Sequence, residues 1–399
     1  MHSCFGSEGR AAAARLRPAA LTTQFPRPRR KMQVLIWPGP LFRLASAAAC
    51  CGGISRSRRW LLPARGHNFP AMGHKKIRTA VVGVGYLGRY HVEQLLQIPA
   101  ADLVGIYDLN GATQEAICQR YQVHGFANLE ETLAAAEAIS VVVPTDQHFV
   151  VTEQALRAGR HVFVEKPISQ TLAEADALLR LAEQQDRLIQ VGHIERLNPA
   201  VQALEKYDLA PRFIEGHRLA PFSSRGSDVP VVLDLMIHDI DVVLHLVKSP
   251  LKTVRANGVS VITDSVDIAT ARLEFENGAV ANLTASRISQ KQMRKLRLFQ
   301  PELYVSVDFL QQLTEVYRLV AEGESPPEAT LTMPLEFNDR RRLISYEKPA
   351  IIENNALHLE LGNFIRSAAG LEKPVVDGYS ARAALDVAIR IEAAIAESA

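Results

Sequence analysis

The sequence predicts an α/β domain built on a doubly wound parallel sheet, followed by an α+β domain with an open-faced, mostly antiparallel sheet. Three observations predict it. A strand, glycine turn, helix and second strand run from Lys76 to Asp108. Strands and helices then alternate as far as Val191, the grammar of a parallel sheet with helices on both faces. Past Asn198 that rhythm stops. Short alternating strands take over, with Asn277-Gly278 between two of them as a type I′ hairpin signal.

The first stretch is the most informative. Ile77 to Val82 is a β-branched run that fits a buried parallel strand. Gly83, Gly85 and Gly88 follow with the spacing G-x-G-x-x-G, enclosing Tyr86 and Leu87. The first glycine permits the tight turn, the second lets a pyrophosphate approach the backbone, and the third lets the helix pack on the strand. The helix, Tyr86 to Leu96, turns its N-terminal N–H groups toward those phosphates. The second strand, Leu103 to Tyr107, ends in Asp108, twenty positions after Gly88. A carboxylate there accepts both ribose hydroxyls and repels a 2′-phosphate, so the dinucleotide expected on this Rossmann unit is NAD rather than NADP.

Charge divides the 399 residues unevenly. Residues 1–71 hold twelve Lys and Arg and one acid, Glu8. Of the totals of 45 bases and 43 acids, 33 and 42 remain for the body, a net of −9. An acidic body gives no reason to expect a nucleic-acid partner. The leader, with seven prolines, reads as sequence translated upstream of a start at Met72, as an acid-poor transit peptide, or as a disordered tail. Its apolar run, Val34 to Cys51, is broken by Pro38, Pro40 and Arg43, so no membrane span is expected. Only Cys118 lies in the body, which rules out a disulfide framework there and suits a reducing, cytoplasmic compartment. The expected division is 1–71 leader, 72–195 NAD-binding domain, 196–378 substrate and oligomerisation domain, and 379–399 closing helix.

After Asp108, helices are expected over Gly111 to Tyr121, from an Asn128 cap to Ala138, over Gln147 to Ala158, and over Leu172 to Gln185. Strands are expected at Ser140 to Val143, His161 to Glu165 and Leu188 to Val191, the last two counted as the fifth and sixth. Pro199 to Tyr207 reads as a helix, Arg212 to Leu219 as a strand, and Val231 to Val247 as one long apolar helix. Ala269 to Phe275, Ala279 to Ser286, Leu296 to Phe299 and Leu303 to Phe309 read as strands. Asn355 to Ala369 and Tyr379 to Ser398 close the chain as helices.

Ligands of an open α/β sheet bind beyond the carboxyl ends of its strands. Three short segments fall there. Pro144, Thr145 and His148 follow one strand and are expected to pass the ribose and nicotinamide ends of the cofactor. Glu165-Lys166-Pro167 follows the next, and a lysine there can stabilise the alkoxide that develops as an alcohol is oxidised. Asp234 and His238 lie four apart in the long helix, among apolar neighbours. A histidine taking a hydroxyl proton, oriented by an aspartate, would satisfy both buried polar groups. No third ligand stands at metal-site spacing, so no metal is expected.

In these motifs the chain from about residue 75 to 398 resembles the glucose–fructose oxidoreductase / inositol dehydrogenase / MocA family. The resemblance rests on the glycine turn with Asp108, Pro144-Thr145 with His148, Glu165-Lys166-Pro167, and Asp234 with His238 and Asp241. It implies Lys166, Asp234 and His238 as the catalytic set, with NAD held by the glycine turn, Asp108, Pro144, Thr145, His148, Glu165 and Lys166. It also implies a homodimer or homotetramer formed through the second sheet. Bulky residues around Asp234, such as Met236, depart from many relatives. With Val191 to Ala200, they make the chain most like a bacterial branch that oxidises the 3-hydroxyl of UDP-N-acetylglucosamine toward lipid A precursors. A diphosphate-linked sugar needs donors, and Arg196, Arg218 and Arg225 are candidates, with His193 and Asn198 at the sugar and Tyr304 at the far end. The competing expectations are a dehydrogenase of a free sugar or polyol, an NAD-assisted glycosidase, and a non-catalytic NAD-binding regulator.

Overall fold

A computed structural model describes residues 75–223, 229–320, 324–325, 331–337 and 340–398. The leader therefore lies outside the described residues. The first half forms β1 (Ile77–Val82), α1 (Gly88–Leu95), β2 (Ala101–Tyr107), α2 (Gly111–Tyr121), α3 (Leu129–Ala135), β3 (Ala138–Val141), α4 (Thr145–Arg157), β4 (His161–Glu165), α5 (Leu172–Gln185) and β5 (Ile189–Gly192). These strands make a parallel sheet of order β2-β1-β3-β4-β5. The sheet has five described strands rather than six. Between α2 and α3 the chain makes only a single bridge, Gly125 to Ile106. The central strands are apolar on both faces because helices cover both. Side-chain caps set the helix starts: Asn110 for α2, Asn128 for α3, and a Thr171–Glu174 capping box for α5.

The chain then passes a 3₁₀ turn (Ile194–Leu197) and α6 (Pro199–Gln202) into a second sheet. Its strands are β6 (Phe213–Leu219), β7 (Leu251–Val259), β8 (Ile268–Phe275), β9 (Val280–Ser286), β10 (Met293–Gln300), β11 (Leu303–Asp308), β12 (Leu313–Val320), β13 (Leu331–Phe337) and β14 (Arg340–Glu347). Their order is β13-β14-β12-β11-β10-β6-β9-β8-β7. Every described pair is antiparallel except β6 with β9. Between β6 and β7 lie a π-helical turn (Val232–Met236) and α7 (Ile237–Val247), so the expected single helix is two kinds of helix joined. The β8–β9 hairpin is where the sequence put it, but its turn differs. Asn277 is not at positive φ, Gly278 takes φ +82°, and its N–H reaches Phe275 O at 3.0 Å. That is a turn closed by a glycine bulge rather than the I′ form.

The chain ends in α8 (Ala356–Ala368) and α9 (Gly378–Ser398). Leu361, Phe364 and Ile365 of α8 return to the first sheet and pack with Val81, Val92 and Phe163. Ala381 and Leu385 of α9 pack with the other face of that sheet, whereas Ala388, Ile391 and Ile395 join the core under the second sheet. No described helix is long and apolar enough to cross a membrane.

The return of α8 buries one carboxyl, Glu360, 1 % exposed with neither oxygen partnered. Burial, and then the charges of Glu165 and Asp241, push its pKa well above the usual carboxylate range. The folded protein therefore holds a proton there that the unfolded chain loses above about pH 4.5. That difference makes stability fall as pH rises from 4.5 toward the folded pKa. Glu360→Gln should flatten this part of the profile and raise stability at pH 8 relative to pH 5. Urea titrations of both proteins at the two pH values measure it, and an unchanged slope would show that Glu360 is ionised in the fold.

Candidate active site

The glycine turn is shaped to admit a phosphate. A Cβ on Gly83, at φ +86°, would lie 2.5 Å from Val142 O, and one on Gly88 would lie 2.0 Å from Gly83 O. Both positions therefore exclude any side chain. A Cβ on Gly85 would meet nothing within 4 Å, so open space stands in front of that backbone. Gly85, Tyr86 and Leu87 are exposed along its lip, and α1 begins with no side-chain cap on its first N–H groups. An anion there meets the positive end of the helix. Asp108 is held at the next strand end, its Oδ2 accepting from Val84 N–H at 2.7 Å and its Oδ1 from Asn110 N–H at 2.8 Å. These residues fit a dinucleotide.

Pro144 and Thr145 start α4, exposed and half-buried respectively. His148 is 1 % exposed, with Nδ1 2.7 Å from Pro167 O and Nε2 3.0 Å from Val143 O. It holds the backbones of Val143 and Pro167 together. Burial lowers its pKa.

Lys166 reaches from the end of β4 to the π turn. Its Nζ donates to Asp234 O at 2.6 Å and to Asp234 Oδ1 at 3.3 Å. An ammonium has three hydrogens, so one remains for a ligand oxygen. The lysine is anchored from below. Glu165 Oε1 lies 3.1 Å from His91 Nε2, and His91 Nδ1 lies 2.9 Å from Ser140 Oγ. His91 belongs to α1, so the helix that faces the pyrophosphate and the strand that carries Lys166 share one buried network. Gly192 leaves the space for it, since a Cβ there would stand 2.8 Å from Glu165 Oε2.

His238 and Asp234 share no hydrogen bond among the described residues. Asp234 lies within the π turn and bonds Lys166 instead. His238 Nδ1 is buried without a partner. Its ring lies edge-on to His193, centroids 6.4 Å apart, and neither nitrogen of the buried His193 has a partner. Burial first, then the positive charge of Lys166 and Arg218 and the neighbouring His193 and Arg294, hold His238 well below the ordinary histidine pKa. It is a neutral ring at pH 7.

The residues expected at a diphosphate are placed differently. Arg218 is 2 % exposed, with bonds to Asp239 at 3.0 and 2.7 Å and to Glu195 at 2.8 Å. Arg196 is forked onto Asp241 at 2.8 and 2.7 Å. Asn198 caps α6 and donates to Glu195 and Phe309 O. Tyr304 stacks between Phe299 and Tyr317, within an aromatic row that crosses the sheet. Arg225 lies outside the described residues. His91, Ser140, Glu195 and Arg294 join the site without belonging to any motif of the sequence. Only His91 carried a signal, three residues past the last glycine of the turn.

Among the described residues no His, Cys, Asp and Glu cluster could hold a metal ion. The pattern of an oxidoreductase family described as NAD-binding Rossmann fold matches residues 77–193, and that of the GFO/IDH/MocA C-terminal domain matches residues 215–306. The chain belongs to this family. It is an NAD-dependent dehydrogenase. It is 36 % identical over 320 residues to the UDP-N-acetylglucosamine 3-dehydrogenase of Acidithiobacillus ferrooxidans, covering 80 % of this chain and 97 % of that protein. A solved structure of that enzyme superposes with a TM-score of 0.72 at 35 % identity, over 81 % of this chain and 98 % of that one. The scyllo-inositol 2-dehydrogenase (NAD(+)) of Bacillus subtilis is 27 % identical over 54 % of this chain and 68 % of its own length. A myo-inositol 2-dehydrogenase structure from Lactobacillus plantarum, with TM-score 0.64, 20 % identity and coverage of 81 % of this chain and 98 % of that one, shares the fold.

If His238 is the base, its lowered pKa places the acid limb of the pH profile. Protonation of His238 should remove activity only as pH falls through its lowered pKa, so its acid limb in kcat/KM should lie below pH 6.5. Lys166→Met, by removing a neighbouring positive charge, should move the limb upward in whatever activity remains. An acid limb above pH 6.5 that disappears in His238→Gln would sink the assignment.

Proposed function

We propose that this dehydrogenase oxidises the 3-hydroxyl of UDP-N-acetylglucosamine to a 3-keto nucleotide sugar. The observation that carries the chemistry is the meeting of Lys166, with one ammonium hydrogen to spare, and a neutral His238. The substrate is supported by the relative named for that reaction, nearly all of whose length this chain spans. The substrate hydroxyl lies between the two groups. His238 takes its proton at Nε2, since Nδ1 is buried without a partner. Lys166 donates to the oxygen and stabilises its growing negative charge. Asp234 orients Lys166 rather than His238. NAD, when bound by the glycine turn and Asp108, accepts the hydride. A lipid A precursor setting and a cytoplasmic location complete the reading.

The same reading includes a homo-oligomer. Phe213, Phe299, Tyr304, Tyr317 and Tyr346 form a continuous row on one face of the second sheet, with ring centroids 4.8–5.9 Å apart. Half-exposed aromatics in a band suit burial against a second copy.

NADH formation tests the reaction, in protein supplied with NAD and either UDP-N-acetylglucosamine, free N-acetylglucosamine or inositol. Turnover is expected with the nucleotide sugar. Lys166→Ala should lower kcat by about 100- to 1,000-fold while NAD affinity stays within a few-fold. Turnover that survives in the variant would remove Lys166 from the chemistry. Turnover confined to inositol would replace the substrate. Light scattering tests the assembly. Tyr304→Arg with Tyr317→Arg should shift the protein to monomer, and an unshifted mass would place the interface elsewhere.

A further inference from the structure

The buried charge cluster beside His238 has one member that reaches solvent. Arg294 on β10 pairs in register with Arg218 on β6, so the two point from the same face of the sheet. Arg218 is enclosed by Asp239 and Glu195. Arg294 has no hydrogen bond among the described residues. Its only ion pair there is Glu195 Oε1 at 3.8 Å, beyond hydrogen-bond reach. That oxygen is already bonded to Arg218 at 2.8 Å, and Glu195 Oε2 to Asn198 at 3.0 Å. The Arg294 side chain is 41 % exposed, against 3 % for Arg218. Burial, and then the like charge of Arg218, lower its pKa, so the ion is incompletely compensated where it stands. Its charge is also among those acting on His238.

We propose that Arg294 is the specificity-determining residue that binds the glycosyl phosphate of the substrate. This rests on the nucleotide-sugar reading above. A planar guanidinium with its donors open suits two phosphate oxygens. The phosphate on C1 is one sugar ring away from the hydroxyl presented to His238, so a cation beside that histidine is well placed for it. Arg196 and Arg218, which the sequence alone would nominate, are committed within the protein, Arg218 to Asp239 and Glu195, and Arg196 to Asp241 with its Nη1 toward His245 and Val375 O. Removing Arg294 leaves Glu195 with both close partners, so the fold should tolerate its loss.

The test compares wild type, Arg294→Ala and Arg294→Lys with UDP-N-acetylglucosamine, and measures UDP as a competitive inhibitor. NAD affinity checks the fold of each variant. The expected result is a KM for the nucleotide sugar and a Ki for UDP each raised about 30-fold or more in Arg294→Ala, about 2 kcal/mol, with kcat changed less than threefold. Arg294→Lys should recover part of that loss. If KM and Ki stay within threefold in Arg294→Ala while wild type turns over the nucleotide sugar, Arg294 does not bind the phosphate and the function stands. A fall confined to kcat would overturn the proposal in the same way. If wild type oxidises free sugars and neither UDP nor the nucleotide sugar binds, the substrate reading fails and the proposal with it.

Discussion

A guanidinium buried beyond the reach of water organises the cleft. Burial works against the charge of Arg218, but Asp239 and Glu195 hold it ionised. Breaking such a pair by removing one partner costs about 3–5 kcal/mol, because the remaining charge is left uncompensated. The cluster therefore specifies position. Asp239 is the residue after His238, and Glu195 is two residues after His193. One arginine on a strand thus fixes the start of α7 and the turn after β5 against the sheet. The two histidines are held edge-on between them.

The second support comes from the other domain. The Ser140–His91–Glu165 chain ties the helix that faces the pyrophosphate to the strand end that carries Lys166. Lys166 then crosses to the backbone carbonyl of Asp234. The helix of the glycine turn, Lys166 and the π turn are thus connected by side chains that are mostly buried, which holds the lysine in one place.

Local signals are legible where the backbone itself imposes them. Gly83 and Gly88 admit no Cβ, so the turn is written in residue identity. Asn110, Asn128 and Thr171 cap the helices they precede. The hairpin at Asn277-Gly278 is visible too, although its turn type is not, because one positive φ at Gly278 serves a bulge as well as a I′ turn. Strands β7, β12, β13 and β14 are not among those the sequence pattern marks, and neither is the π turn. An apolar run reads alike whether its hydrogen bonds close over four residues or five. Spacing then suggests that Asp234 meets His238, whereas the wide turn delivers it to Lys166.

Arginines mark the boundary most sharply. Arg196, Arg218 and Arg294 are the same residue type in similar company along the chain. Two are enclosed by carboxylates and one is left open, and only strand register and the placement of Asp239, Asp241 and Glu195 decide which. Sequence was enough for the dinucleotide turn, the alternation of the first sheet and the change of grammar after Asn198. Those depend on neighbours within a few positions. Tertiary structure alone decided which charges face each other, which histidine nitrogen is sealed, and how far α8 travels to pack on the first sheet. Those depend on contacts between residues dozens to well over a hundred positions apart, where pairing and desolvation, rather than local pattern, set the outcome.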